Sequence, residues 1–243
     1  FFGFDSTIGL LLSESLIFPE KSVDNLVVGC SVFSTRLPSG IVGFGRGPES
    51  LPSQLGLKRF SYCLVSHKFD NNTSASSDLI LSAAASKGGA TKYTLFRKNP
   101  TSSNPAFQDY YYVTLRKITV GNGGSIVDSG TTFTFLEKQV FELVAREFEK
   151  QVGSNYNRAL EVENQSGLRP CFNISGENLI SLPQLTFYFK GGSKIILPLA
   201  DYFSFLDDSA ICMTIVTNNG TGGEVGPGSA IILGNYQQQN FYM

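Results

Sequence analysis

The chain has 243 residues, 42% of them hydrophobic and 16% charged, with a formal net charge of -1. That balance excludes a disordered polyelectrolyte, and the lack of any Arg/Lys cluster excludes a nucleic-acid binder, which needs concentrated positive charge to neutralise phosphate. No apolar run reaches the roughly 18 residues of a membrane-spanning helix, while plentiful Gly, Ser, Thr, Val, Ile, Phe and Tyr predict a β-rich protein cut by many turns.

In chain order, the first predicted strands are Gly9–Leu12 and Leu26–Cys30, short apolar runs between polar breaks. Gly40-Ile41-Val42-Gly43-Phe44-Gly45-Arg46-Gly47 predicts tight turns and close approach of a neighbouring segment. It is no phosphate loop, since no Gly-Lys-[Ser/Thr] follows. Ser50 is placed to cap a short helix from Leu51, and Phe60–Val65 reads as a buried strand. Residues 66–107 are the least hydrophobic stretch and read as exposed hairpins and a connection between two domains. His67, beside Lys68 and Asp70, reads as a solvated loop residue.

A second β-rich region opens at Tyr110–Leu115 and continues through Ile118–Gly121 and Ser125–Leu136. The clearest helix runs from about Glu137 to Val152, with Val140, Phe141, Leu143, Val144, Phe148 and Val152 at a 3.6-residue period. Further strands are Gln184–Phe189, Lys194–Leu197, Tyr202–Phe205, Ala210–Val216 and Ala230–Gly234.

Chemistry concentrates at Asp128-Ser129-Gly130-Thr131, which leaves the apolar pair Ile126-Val127 and shortly precedes the helix. Asp, Ser and Gly also form ordinary turns. A carboxylate at a strand end beside hydroxyls and backbone N–H groups, however, is well placed to stay ionised or share a proton. The four cysteines, Cys30, Cys63, Cys171 and Cys212, have no zinc or redox spacing and allow three pairings. Asn71, Asn72, Asn164, Asn173 and Asn219 each begin an N-x-[ST] sequon, which points to a secretory route and N-glycosylation.

The ordered set of motifs resembles the nepenthesin-like plant aspartic proteases of the pepsin family. The matching pieces are Ser6–Gly9, Val28–Cys30, Gly40–Gly47, Phe60–Leu64, Tyr111–Leu115, Ile126–Thr132 and Ile232–Gln239. The resemblance implies an all-β, pepsin-like bilobal fold with short helices. Residues 1–105 would form a partial N-terminal lobe and 106–243 most of the C-terminal lobe, of the xylanase-inhibitor N-terminal and C-terminal types. It implies Asp128 as the second-lobe catalytic aspartate, with Ser129, Gly130 and Thr131 as its supporting loop. Gly43 and Gly234 match the glycines beside the two active loops, Phe2 stands at the flap tyrosine, and Cys171 pairs with Cys212. In such lobes the apolar-apolar-Gly element around Gly234 threads beside the Asp loop, where glycine permits the crossing.

This sequence departs from the family pattern in several places. No second Asp-[Ser/Thr]-Gly occurs, Phe2 and Asp5 replace a flap tyrosine and glycine, and the hairpin around 120–125 is short. The chain opens on Phe1 and ends on Met243, which reads as a fragment cut at both ends. The expectation is an aspartic endopeptidase acting on polypeptide substrates in the full-length protein, monomeric, secreted to the apoplast or vacuolar. It needs no cofactor or metal, and the fragment alone would be inactive. The alternatives are a non-catalytic glycosidase (xylanase) inhibitor of the same fold and a one-aspartate protein that dimerises.

Overall fold

A computed structural model describes residues 7–19, 22–35, 40–66, 74–81, 92–99, 105–116, 124–127, 130–177, 179–206, 209–217 and 229–243. The architecture is mostly β with three short α-helices among the described residues, as the composition predicts. β1 (Thr7–Ile17) and β2 (Ser22–Ser34) form a long antiparallel ribbon, with register shifts at Ile8/Gly9 and Glu14/Leu16. The apolar residues of this ribbon are largely exposed: Ile8 is 70% accessible, Leu11 80% and Val32 75%. Among the described residues before Tyr110, Leu26 is the one core hydrophobic side chain that is buried.

α1 (Leu51–Gln54) is capped as the sequence predicts, the Ser53 N–H donating to Ser50 Oγ. β3 (Phe60–Tyr62) pairs with β4 (Leu79–Leu81) and is half-buried, so the buried-strand expectation for this segment is corrected. All three residues of β3 are partly covered, and Phe60 meets Phe44 and Tyr111 edge-on, at 5.0 and 6.0 Å between ring centroids. Most of residues 66–107, His67 included, and the predicted strand at Ile118–Gly121 lie outside the described residues.

The second half holds the core. A five-stranded sheet runs in the order β13-β7-β14-β6-β5, with β5 Tyr111–Val113, β6 Gly124–Val127, β7 Thr134–Leu136, β13 Ile215–Thr217 and β14 Ser229–Leu233. α2 (Lys138–Val152) buries Val140, Phe141, Ala145, Phe148 and Val152. Leu143, read as part of that stripe, is instead 50% exposed, because the helical turn carries it almost opposite the buried arc, which centres on Phe141 and Phe148. A three-stranded sheet of β8 (Cys171–Asn173), β12 (Ala210–Met213) and β11 (Phe203–Phe205) packs into the same core, with Phe172 and Phe203 rings 6.1 Å apart. β9 (Thr186–Tyr188) and β10 (Lys194–Ile196) form a further hairpin. Cys171 and Cys212 face each other across β8 and β12 and form a disulfide, the pairing the family resemblance implies. No helix among the described residues is long and apolar enough to cross a membrane.

Candidate active site

β6 delivers the chain to Asp128. It is flanked by β14 in parallel, with Leu233 opposite Val127, and by β5 in antiparallel, with Tyr111 opposite Val127. Asp128 and Ser129 themselves lie outside the described residues, as does Phe2. The chain returns through Gly130, exposed, and Thr131, half-buried, into β7. β14 lies between β6 and β7, so the loop bearing Asp128 straddles the strand that leads to Gly234.

Past β14 the backbone passes directly under the returning arm. A Cβ at Gly234 would stand 2.4 Å from the Phe133 carbonyl carbon and 2.8 Å from Thr134 N, a distance no side chain tolerates without displacing backbone. In place of a side chain, the Gly234 N–H donates to Thr134 Oγ1 at 3.0 Å. The next two amides continue the clamp: Asn235 N–H donates to Thr131 O at 2.7 Å and Tyr236 N–H to Thr132 O at 3.1 Å. The Tyr236 and Phe133 rings meet edge-on at 5.0 Å.

Gln237 closes the arrangement. Its Oε1 accepts from Thr134 N–H at 2.9 Å, and its Nε2 donates to the Asp201 carbonyl and, at 3.3 Å, to Thr214 Oγ1. Thr134, Asp201, Thr214 and Gln237 are all fully buried. A buried primary amide must spend both its donor and acceptor capacity, and here both go to the backbone that carries the loop and to its neighbours. Gln238, also fully buried, donates to Leu233 O at 2.7 Å and accepts from Tyr62 Oη at 2.5 Å. The final residues pair with the first half: Met243 N–H donates to Tyr62 O at 2.9 Å and Asn240 N–H to Leu64 O at 3.0 Å. The glutamines and Tyr62 escaped the sequence reading as site residues. The signal was there in a run of amides directly after a buried apolar strand, where uncharged polar groups must find partners.

The glycine-rich segment makes the close approach to a neighbouring segment that its composition predicts. Gly45 and Gly47 press on Asp109, where a Cβ would meet its backbone oxygen and its carboxylate at 3.0 Å in each case, and Arg46 N–H donates to Asp109 O at 2.7 Å. Arg46 also reaches Asn99 Oδ1 at 3.0 Å. Gly43 has nothing described within 4 Å of an added Cβ, while its carbonyl accepts from Leu51 N–H at 2.9 Å. Tyr111, opposite the strand end that leads to Asp128, donates to Gly45 O at 3.4 Å; burial pushes its phenol above the ordinary value, with the Arg46 guanidinium pulling partly the other way.

Of the remaining candidates, Asn164 and Asn173 are exposed, and Asn71, Asn72 and Asn219 lie outside the described residues. Cys30 is a free thiol and exposed; Cys63 is free and half-buried. No group of three or more His, Cys, Asp or Glu that could hold a metal occurs among the described residues. The returning arm at Thr131–Thr134 is held by backbone, hydroxyl and amide hydrogen bonds, groups that do not titrate in the ordinary range.

The comparisons follow the same lines. Residues 110–243 match the family described as xylanase inhibitor C-terminal, and residues 3–81 that described as xylanase inhibitor N-terminal. A probable aspartyl protease of Arabidopsis thaliana is 34% identical over 288 residues, covering 99% of this chain and 57% of that protein. Aspartic proteinase nepenthesin-2 of Nepenthes gracilis is 33% identical over 260 residues, covering 96% of this chain and 54% of its own length. The chain therefore spans about half the length of the curated relatives it matches. Among solved structures, basic 7S globulin from soybean superposes with a TM-score of 0.65 at 19% identity, over 91% of this chain and 59% of that one. The aspartic proteinase from Irpex lacteus does so with a TM-score of 0.60 at 15% identity, over 98% and 74%. By its two domain matches, its relatives and its pepsin-like fold, the chain belongs to the nepenthesin-like family of plant aspartic proteases.

Proposed function

We propose that Asp128 is one half of the acidic pair of an aspartic endopeptidase that hydrolyses peptide bonds in polypeptide substrates. The observation that carries the reading is the clamp on the loop's returning arm, made by Gly234, Asn235, Tyr236 and Gln237 on Thr131, Thr132 and Thr134. A loop held at this many points is one whose carboxylate position matters. In the proposed chemistry two carboxylates share one proton, because like charges in close contact cannot both ionise easily. The ionised member draws a proton from water as it attacks the peptide carbonyl, and the protonated member polarises that carbonyl. Ser129, Gly130 and Thr131 support Asp128, and Phe2 covers the cleft from the flap.

The sequence holds a single Asp-[Ser/Thr]-Gly. The partner carboxylate is therefore assigned to a part of the full-length protein outside residues 1–243, and this chain alone is expected to be inactive. The division into lobes at 1–105 and 106–243, a monomeric state and a secreted or vacuolar site of action belong to the same proposal. The Cys171–Cys212 disulfide supports the secretory route, since such bonds persist in oxidising compartments.

The test assays the purified full-length protein and residues 1–243 on a denatured protein substrate at acid pH. Cleavage by the first, absent in the second, is the expected result. Cleavage by residues 1–243 that Asp128→Asn abolishes would overturn the shared dyad in favour of a one-aspartate enzyme. A second reading, a non-catalytic glycosidase inhibitor, is favoured by Phe2 and Asp5 at the flap and by the description of the matching domains. It expects no proteolysis from the full-length protein and saturable inhibition of a xylanase.

A further inference from the structure

The sequon at Asn173-Ile174-Ser175 occupies a different kind of place from the others that the structure describes. Asn173 closes β8 and is exposed, and Ser175 is exposed in the turn that follows. Between them Ile174 is 4% accessible and fixed by two backbone bonds, its N–H donating to Ser209 O at 2.8 Å and its carbonyl accepting from Glu177 N–H at 3.1 Å. Gly176, at the third position of that turn, has φ 82°, whereas Ser175 is not among the residues with positive φ. That combination makes residues 174–177 a type II turn. At its head the Ser175 N–H donates to Asn173 Oδ1 at 2.9 Å, an Asx turn that engages the oxygen of the side-chain amide and not its nitrogen.

We propose that Asn173 is an N-glycan acceptor. In the transfer, Asn173 Nδ2 attacks the anomeric carbon of a lipid-diphosphate-linked oligosaccharide. A C–N bond forms, the C–O bond to the diphosphate breaks with its electron pair leaving on the lipid diphosphate, and one Nδ2 proton passes to a base. No electron is transferred to or from any other reagent. The two outer residues of the sequon stand on an exposed turn, and the middle one anchors it. Two residues upstream of Asn173 is the buried Cys171–Cys212 disulfide, a bond made in the same oxidising compartment that holds the lipid-linked donor.

The contrast within the molecule is Asn164. It sits inside α3 (Leu160–Ser166), and the hydroxyl of its sequon, Ser166 Oγ, is turned back to Val162 O at 2.7 Å. A glycan at Asn173 also has a place to lie. Ile174, Gly176, Leu179, Ile180 and Phe205 line a shallow groove beside the turn, with Leu179 83% and Phe205 61% accessible. Sugar rings carry apolar faces, and a chain rooted at Asn173 would shield this surface from water. The inference involves none of the residues that clamp the Asp128 loop, and it holds whether or not the protein cleaves peptides.

The experiment uses the whole 243-residue chain behind a cleavable secretory signal, translated with eukaryotic microsomes. The protease-protected fraction is trimmed with an endoglycosidase that leaves one N-acetylhexosamine on each occupied asparagine, then mapped by mass spectrometry. The peptide bearing Asn173 is expected to carry the residual sugar. Asn173→Gln and Ser175→Ala are expected to abolish it and remove one mobility increment from the undigested protein, whereas Ser175→Thr keeps both. Recovery of the Asn173 peptide bare from the protected fraction overturns the proposal, whatever the state of the other four sequons.

Discussion

A side chain at position 234 would have to share space with the Phe133 carbonyl, and the Phe133–Thr134 backbone cannot retreat because Thr134 is held by Gln237 from the other side. Gly234→Ala is therefore expected to cost about 2–4 kcal/mol, read as a lower urea midpoint, while Gly43→Ala, which meets open space, changes stability by about 0.5 kcal/mol at most. Equal costs at the two sites would contradict the close crossing. Gln237→Leu keeps most of the volume but leaves Thr134 N and the Asp201 carbonyl without their amide partner, so a loss of about 2–4 kcal/mol is expected by the same measurement. At this scale the sequence was legible where a residue type has a single use. Asp-Ser-Gly after an apolar strand announced itself, and so did the glycine after Ile232-Leu233. Gln237 and Gln238 did not, because an amide is equally at home in solvent; only the fold shows that their partners are buried backbone groups.

Among the elements, α2 was readable from its period, and its ties to the rest explain how it is held. Arg158 reaches Glu149 on α2 and Glu163 on α3, and Arg169 pairs with Glu142 while its guanidinium lies 4.7 Å from the centre of the Phe141 ring. The hydrogen bond from Arg169 holds the Glu142 carboxyl below its ordinary value, with smaller help from Arg146 and Lys138. A carboxyl whose pKa is lower folded than unfolded adds stability above the unfolded value, and that stability fades as pH falls through the folded value. Glu142→Gln is therefore expected to lower the melting temperature at neutral pH. The gap to the parent should close as pH drops below about 4.5, the ordinary glutamate value. The pair is partly exposed and screened by water, so the neutral-pH gap is worth at most about 1 kcal/mol. A gap that persists unchanged into strong acid would contradict the linkage. The disulfide joins residues 41 apart in sequence, and replacing both cysteines by Ala is expected to cost about 2–5 kcal/mol in thermal unfolding. α3 and β8 were missed for reasons of length and pattern. α3 has seven residues with none buried, and β8 has three, too short for any periodicity to register.

Across the whole molecule, burial is uneven. The contiguous core draws on residues from Val113 to Leu233, whereas the β1–β2 ribbon leaves its apolar side chains largely exposed, Leu26 excepted. Where the structure describes them, the predicted strands overlap observed ones in both halves, but the sequence carried no sign of this asymmetry, since alternation reports that a strand has an apolar face and not what lies against it. The two halves meet through the backbone at Tyr62–Leu64 and Gln239–Met243, through Tyr62 Oη on Gln238, and through Arg46 N–H on the Asp109 carbonyl. The β3 contacts run to Gln238–Met243, directly after the residues that clamp the returning arm, while the glycine-rich segment meets Asp109 just before β5. A displacement between the halves would thus be felt at Gln238, next to the clamp.

The account rests on Asp128 as a working carboxylate. The most direct test is the pH–rate profile of the full-length protein on a denatured protein substrate, compared with that of Asp128→Asn. The account predicts a bell-shaped profile in the acid range for the parent, the signature of a carboxyl pair that shares one proton, and loss of activity by at least about three orders of magnitude at every pH in the variant. A variant that retains the parent's rate and profile would show that this loop, however firmly clamped, does not carry the chemistry.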